Sequence, residues 1–177
     1  MSKKGFGQQY STITELPNST ISELQLKRCY QRYMFANKNC EGGLVIELGC
    51  GGGQGLNLLR NVSDKLIGYD IDDTNIRICN ETYRNDQNIQ IIKENIDDIV
   101  FNDASVQTFI LFETIYYISD HDALIKKMYN ALKPNGKIII CTANKNWHSF
   151  NPSPFSTKYL SSKELFELGQ KHFFSVE

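Results

Sequence analysis

Three glycines at alternate positions, Gly49, Gly51 and Gly53, separate an apolar run, Leu44 to Leu48, from a stretch of helical character that starts at Gln54. A backbone without Cβ atoms bends sharply and lets a ligand approach the main chain. A helix starting just behind such a bend would present N–H groups to a polar or negative ligand group. Asp70 stands 21 residues beyond Gly49, at the end of a second apolar run. A carboxylate there can accept two hydrogen bonds from the hydroxyls of a ribose. Further along, Glu113, Tyr116 and Tyr117 follow another apolar run. A phenol ionises near ~10, too high for an easy base at neutral pH, so the tyrosines would line a substrate pocket or hydrogen-bond within it. One of the pair is expected to be core.

These positions acquire meaning from the elements that carry them. Ser19 or Ser22 can cap a helix running to Ala36. Strands are expected at 44–48, 65–69, 88–93, 106–112 and 137–142, and helices at 54–61, 74–84 and 121–132. Asp72 or Asp73 can cap the 74–84 helix, leaving Asp70 for a ligand, and Asp120 can cap the next. His121 is expected at a cap or on a helix surface. A last helix follows Ser161 or Ser162 to Lys171, with Glu164 completing a capping box, and residues 173–176 would open a sixth strand. Strand and helix in alternation predict a doubly wound, mostly parallel α/β sheet with helices on both faces. Such sheets bind ligands at the carboxyl ends of their strands, where the candidate residues fall. The expected division is an N-terminal arm and helix over 1–36 and a core over 37–177.

Composition excludes several classes. The net charge is −1 and the basic residues are scattered, which disfavours a nucleic-acid partner. The five cysteines show no C-x-x-C spacing, so reduced thiols are expected rather than a disulfide framework or a metal site. No leader-like or membrane-spanning run is apparent, which predicts a cytoplasmic protein without a membrane partner. The dinucleotide fingerprint G-x-G-x-x-G fits neither register, because Gln54 and Leu56 occupy the third glycine position, and no G-K-[ST] follows. An NAD-dependent oxidoreductase is thereby disfavoured, although Asp70 alone would suit either cofactor. A glycine-rich turn without a ligand is the plain alternative.

The run Val45-Ile46-Glu47-Leu48-Gly49-Cys50-Gly51-Gly52-Gly53 closely resembles the first motif of class I S-adenosylmethionine (SAM)-dependent methyltransferases. Leu132-Lys133-Pro134-Asn135-Gly136 resembles the Leu-Lys-Pro-Gly-Gly of the same family, with Asn135 able to take the left-handed turn. The resemblance spans about residues 43–142 and implies a Rossmann-like sheet of seven strands. It implies that Gly49, Cys50, Gly51 and Gly53 wrap the methionine part of SAM and that Glu47 helps hold its amino group. Asp70 would bind the ribose, Ile71 the adenine face, Asn95 and Ile96 the adenine edge, and Phe112 would complete the cofactor set. Glu113, Tyr116 and Tyr117 would face the reaction, and S-adenosyl-L-homocysteine would be the product. The chain departs from the family at Asn95 and Gln107, where Asp is usual, and at Tyr116-Tyr117, where many relatives have Glu-His. Transfer from a sulfonium to an acceptor needs little acid–base help, so the missing imidazole does not argue against activity.

The segment from Thr142 to Phe155 is rich in aromatic and amide side chains suited to sugars. It resembles methyltransferases of bacterial polysaccharide and nucleotide-sugar pathways, which implies a nucleotide sugar or glycan as the small-molecule acceptor. The chain stops where the sixth strand should begin, so a homo-oligomer that completes the sheet is one expectation. A non-catalytic SAM-binding or assembly module is the competing reading.

Overall fold

The computed structural model describes residues 22–173 and 175–177. The expected N-terminal arm ahead of the first helix, the alternative cap Ser19 and Phe174 lie outside them.

Among the described residues five strands run β1 (Leu44–Leu48), β2 (Lys65–Asp70), β3 (Ile89–Lys93), β4 (Val106–Phe112) and β5 (Leu132–Cys141). They form one sheet in the order β3-β2-β1-β4-β5, with every pairing parallel. The α-helices among the described residues are α1 (Glu23–Asn39), α2 (Leu56–Leu59), α3 (Asp73–Tyr83), α4 (His121–Ala131) and α5 (Ser162–Gln170).

Alternation along the central strands sorts the side chains onto two faces. Phe109 and Leu111 of β4, with Ile46 and Leu48 of β1, pack against Leu124, Ile125 and Met128 of α4 and Leu168 of α5. Ile110, Phe112 and Val45 face the other way, against Tyr33 and Ala36 of α1, Leu56 and Leu59 of α2 and Cys79 of α3. Both faces are covered, which is why the strands read as continuous apolar runs. Glu47 shares a face with Val45 and so points toward α1.

Helix ends follow the expected chemistry. Ser22 accepts from the Gln25 amide while the Gln25 side chain reaches back to the Ser22 amide, and Ser161 and Glu164 repeat the arrangement at α5. Asp72 caps α3 by accepting from the Thr74 and Asn75 amides, and Asp120 caps α4 by accepting from the Ala123 amide. Helix α1 continues to Asn39, past the expected end at Ala36, because Ala36 and Tyr33 are buried in the core.

Three elements differ from expectation. Helix α2 has four residues rather than the turns from Gln54 to Asn61, and passes into a 3-10 turn over Arg60–Val62. Strand β5 begins at Leu132 opposite Val106, and residues 133–136 bulge out before pairing resumes with Lys137 opposite Thr108. Asn135 takes φ +64° in that bulge, as the resemblance implies. No sixth strand forms at 173–176 among the described residues. The segment folds back instead: the His172 and Phe173 amides donate to Gly169, Phe173 packs edge-on against Tyr129 of α4, and Val176 lies over Gly169. Among the described residues, no helix is long and apolar enough to cross a membrane.

Gly55 precedes α2 and faces the Tyr33 ring so closely that an added Cβ would fall 1.9 Å from its carbon atoms. Gly55→Ala should therefore displace Tyr33 and lower stability by about 1–3 kcal/mol, read as a shift of the urea midpoint. The added Tyr33→Ala substitution should remove most of the additional loss, because the two changes share one contact.

Candidate active site

All five strands are parallel, so the chain leaves each of them on the same side of the sheet. The order reverses beside β1, where β2 lies on one flank and β4 on the other, and a crevice opens there. A cleft of about 310 Å³ occupies it. Its lining comes from the ends of β1, β2, β3 and β4 and from α1.

Gly49, Cys50 and Gly51 form the cleft wall after β1. Gly49, Gly51 and Gly53 take φ +79°, +56° and +78°, a region costly to a side chain. Space is short as well: a Cβ on Gly49 would meet Thr114 Oγ1 at 2.3 Å, and one on Gly53 would meet Cys79 Sγ and Tyr83 at 2.9 Å. Gly53 lies behind the loop rather than on the cleft. The amides of Gly49 and Cys50 donate to the Tyr69 carbonyl at 2.8 and 2.9 Å, and the Gly51 amide donates to Asp70 Oδ2 at 2.8 Å. These three N–H groups are therefore spent on β2 instead of being turned toward a ligand. What the loop offers is close approach.

Asp70 is buried but lines the cleft. Its Oδ1 accepts from the Asp72 amide at 2.9 Å and from Asn75 Nδ2 at 3.2 Å. With the Gly51 bond, three of its roughly four lone-pair positions are occupied by protein donors. Burial pushes its carboxyl up, and the bonds from Asp72, Asn75 and Gly51 pull the other way. Ile71 follows on the cleft surface, and Asn95 and Ile96 approach it from the end of β3. Asn95 Oδ1 accepts from the Asp97 amide at 3.1 Å, so its oxygen is already committed to a turn on one side.

Glu47 is 1% exposed and lies behind the cleft wall, not on it. Tyr33 donates its hydroxyl to Glu47 Oε1 at 2.6 Å. Glu47 Oε2 is buried with no hydrogen-bond partner among the described residues. Burial raises the Glu47 carboxyl to about 7, against the lowering pull of the Tyr33 bond and the Arg32 charge. The unused oxygen suits an ammonium donor arriving from the cleft.

At the far end Phe112 packs edge-on against Tyr33, with ring centres 5.1 Å apart. Glu113 takes φ +52°, and its Oε1 pairs with Arg32 Nη1 at 3.4 Å. Tyr116 is buried between Tyr117 and Tyr159, with ring centres 4.5 and 4.4 Å away, while the Tyr117 hydroxyl meets Ser153 Oγ at 3.0 Å. Burial pushes both phenols up, Tyr116 far above its ordinary value, so neither serves as a base at neutral pH. His121, expected at a cap or on a surface, is instead buried at the start of α4, under the loop that carries the two tyrosines. Its ring is tied to the backbone of Ile115 and Ile118, and burial lowers its pKa.

Trp147 is 63% exposed, and none of residues 142–155 lines the cleft, although Ser153 touches it through Tyr117. Several lining residues were absent from the expected set, among them Cys29, Arg32 and Tyr33 of α1 and Gln54. Arg32 left no local signal, because only the docking of α1 brings it to the loops. Gln54 adjoins the glycine motif and was legible there. Among the described residues no group of three His, Cys, Asp or Glu side chains gathers in a metal-binding arrangement.

Comparison with known proteins places this architecture. A Mycolicibacterium smegmatis protein named "probable S-adenosylmethionine-dependent methyltransferase" is 30% identical over 84% of this chain and 57% of its own length. A ubiquinone biosynthesis O-methyltransferase of Bradyrhizobium diazoefficiens is 29% identical over 69% of this chain and 49% of its own. The crystal structure of geranyl diphosphate C-methyltransferase from Streptomyces coelicolor, holding S-adenosyl-L-homocysteine, matches with a TM-score of 0.69 at 17% identity, over 84% of this chain and 59% of that one. The chain thus spans between about half and three fifths of the length of these relatives. A methyltransferase-domain profile matches residues 46–140, more than half of the sequence, from within β1 to within β5, and the protein belongs to the class I SAM-dependent methyltransferase family.

Proposed function

We propose that the chain binds SAM in this cleft and directs its methyl group to a small-molecule acceptor, a sugar or a sugar-linked oxygen or nitrogen, leaving S-adenosyl-L-homocysteine. One observation carries the cofactor reading. The side-chain-free loop and the Asp70 carboxylate are bonded to each other at the mouth of one crevice, and a buried carboxylate oxygen on Glu47 waits behind it. SAM supplies an electrophilic methyl group on a sulfonium whose leaving group is a neutral thioether.

The chain's own residues then do the positioning. Asp70 keeps about one lone-pair position for a ribose hydroxyl, Glu47 Oε2 takes the ammonium, and Ile71 and Ile96 flank the purine. Alignment and fixed charge supply the rate enhancement, in keeping with tyrosines that do not serve as bases. Two of the relatives carry names that point to ubiquinone biosynthesis and to geranyl diphosphate, not to sugars, so the acceptor is argued from this chain alone. Its support is the hydroxyl pair of Tyr117 and Ser153 beside the stacked Tyr116 and Tyr159 rings, a wall suited to a hydroxylated ring. Incubation of the full chain with radiolabelled SAM and a panel of nucleotide sugars, quinols and isoprenoid diphosphates tests this. Label is expected on a sugar, and exclusive labelling of another class would overturn the acceptor reading.

Asp70→Asn replaces acceptor oxygens with an amide that cannot satisfy all its donors. SAM affinity should drop roughly 10- to 100-fold by calorimetry, the equivalent of one charge-assisted hydrogen bond.

Glu47 imposes a pH dependence. Its carboxyl is raised to about 7, and an ammonium ligand favours the ionised form. SAM affinity should therefore rise as pH increases from about 6 to 8, by up to roughly tenfold, and Glu47→Gln should flatten the profile. A Gln variant that keeps the full slope would remove Glu47 from the ammonium site.

Tyr117→Phe deletes the hydroxyl that meets Ser153. Turnover should decrease several-fold, with cofactor affinity changed by less than about 1 kcal/mol. An unaltered kcat would take Tyr117 out of the reaction chamber.

A further inference from the structure

Between β3 and β4 the described chain runs from 94 to 105 without a helix or strand. Such a connection has no ladder to take up its carbonyls, and those near the core need partners from elsewhere. Its two ends are tied by backbone bonds. The Glu94 amide donates to the Asp70 carbonyl at 3.0 Å, and the Ala104 and Ser105 amides donate to Asn130 and Ala131 at the end of α4. Its middle is gathered by one side chain. Lys127 of α4 extends its ammonium to the carbonyls of Ile96, Asp97 and Ile99 at 3.4, 3.0 and 2.9 Å. An ammonium has three donors, and here all of them meet a single turn.

That turn belongs to the cleft. Glu94, Asn95, Ile96 and Asp97 line it, whereas Lys127 does not. Ile96 and Ile99 share a core cluster with Leu124, Ile125 and Met128 of α4, so apolar packing sets how deep the turn sits. Lys127 sets how it is rotated. A trans peptide points its carbonyl and its N–H in opposite directions. With the Ile96 carbonyl drawn to Lys127, the Asp97 amide of the same peptide points the other way and donates to Asn95 Oδ1 at 3.1 Å. The Asp98 amide closes the turn on the Asn95 carbonyl at 2.9 Å. A pull on one side of the backbone thus fixes the Asn95 side chain at the cleft surface on the other.

We propose that Lys127 is a positioning residue for the base end of the cofactor, holding the Asn95–Asp97 turn in the orientation that reads adenine. The proposal rests on the SAM reading above, in which Ile71 and Ile96 flank the purine. Loss of the ammonium leaves three carbonyls to seek water, and the turn gains freedom to rotate while Ile96 and Ile99 stay packed. The purine is then still sandwiched, but the hydrogen bonds that recognise its edge slacken. A lysine that only stabilised the fold would affect every bound base alike.

The experiment separates base reading from binding in general. Wild type, Lys127→Met, Lys127→Gln and Lys127→Arg are titrated by calorimetry with S-adenosyl-L-homocysteine and with S-inosyl-L-homocysteine, in which hypoxanthine replaces adenine and nothing else changes. Wild type should prefer the adenosyl compound. The Met and Gln variants should bind it roughly 3- to 30-fold more weakly and the inosyl compound less than about twofold more weakly, so the preference collapses. Lys127→Arg should keep part of the preference, because a guanidinium still donates to carbonyls of the turn. Melting temperatures of the ligand-free variants read the stability change separately. A lowered melting temperature with an intact preference, or equal weakening of both compounds, would overturn the proposal and leave the cofactor reading standing. A wild type indifferent to the base would overturn it as well. A wild type that binds neither compound would sink the cofactor reading itself, and this proposal with it.

Discussion

The hydrogen bond from the Gly51 amide to the Asp70 carboxylate ties together the two features on which the cleft depends. It joins the end of β1 to the end of β2, beside the place where the sheet reverses its winding order between β1 and β4. A buried carboxylate without partners would shed its charge or push the structure apart. Asp70 escapes this by accepting from Gly51, Asp72 and Asn75 together, so its charge becomes the clamp that shapes the loop. The left-handed glycines on either side then cost little, because they carry no Cβ to strain. Specificity for a ligand and integrity of the loop consequently share one side chain.

A second buried carboxylate, Glu47, is handled differently. It has one protein donor, Tyr33, and one oxygen left over. That imbalance is costly in an empty core and reasonable beside a ligand that brings its own cation. The donor belongs to α1, as does Arg32. This helix is held by aromatic packing against Phe112, by the Gly55 notch and by the Glu47 bond. Its role extends from covering one face of the sheet to completing the electrostatics of the crevice.

The end of the cleft away from the glycine loop sets aromatic rings beside the Arg32–Glu113 pair. Tyr116 is enclosed by Tyr117 and Tyr159, and Phe150 stands edge-on to Tyr159. The Tyr116 carbonyl also accepts from the amide and hydroxyl of Thr157, which pulls residues 153–160 over the tyrosine loop. Such a wall orients an acceptor and excludes water without exchanging protons. That division of labour fits a reaction driven by the leaving-group quality of a thioether.

Local rules account for much of this protein. The apolar period of β1, β2 and β4, the caps at Ser22, Asp72, Asp120 and Ser161, and the glycine spacing at 49–53 each act within a few residues, so the chain itself determined the parallel α/β class and the strand-end loops. Other features were decided only by contacts between distant segments. The shortening of α2, the fold-back of Phe173 and Val176 onto α5 and α4, the burial of His121 and the turning of the Gly49 and Cys50 amides toward Tyr69 depend on which neighbours the sheet order supplies. Arg32 is the plainest case. In sequence it is one of several basic residues on a polar helix. It becomes the sole described cation of the cleft because Tyr33 beside it fits a notch 22 residues away. Charge at a site is a property of position in space, and spacing along the chain carries no record of it.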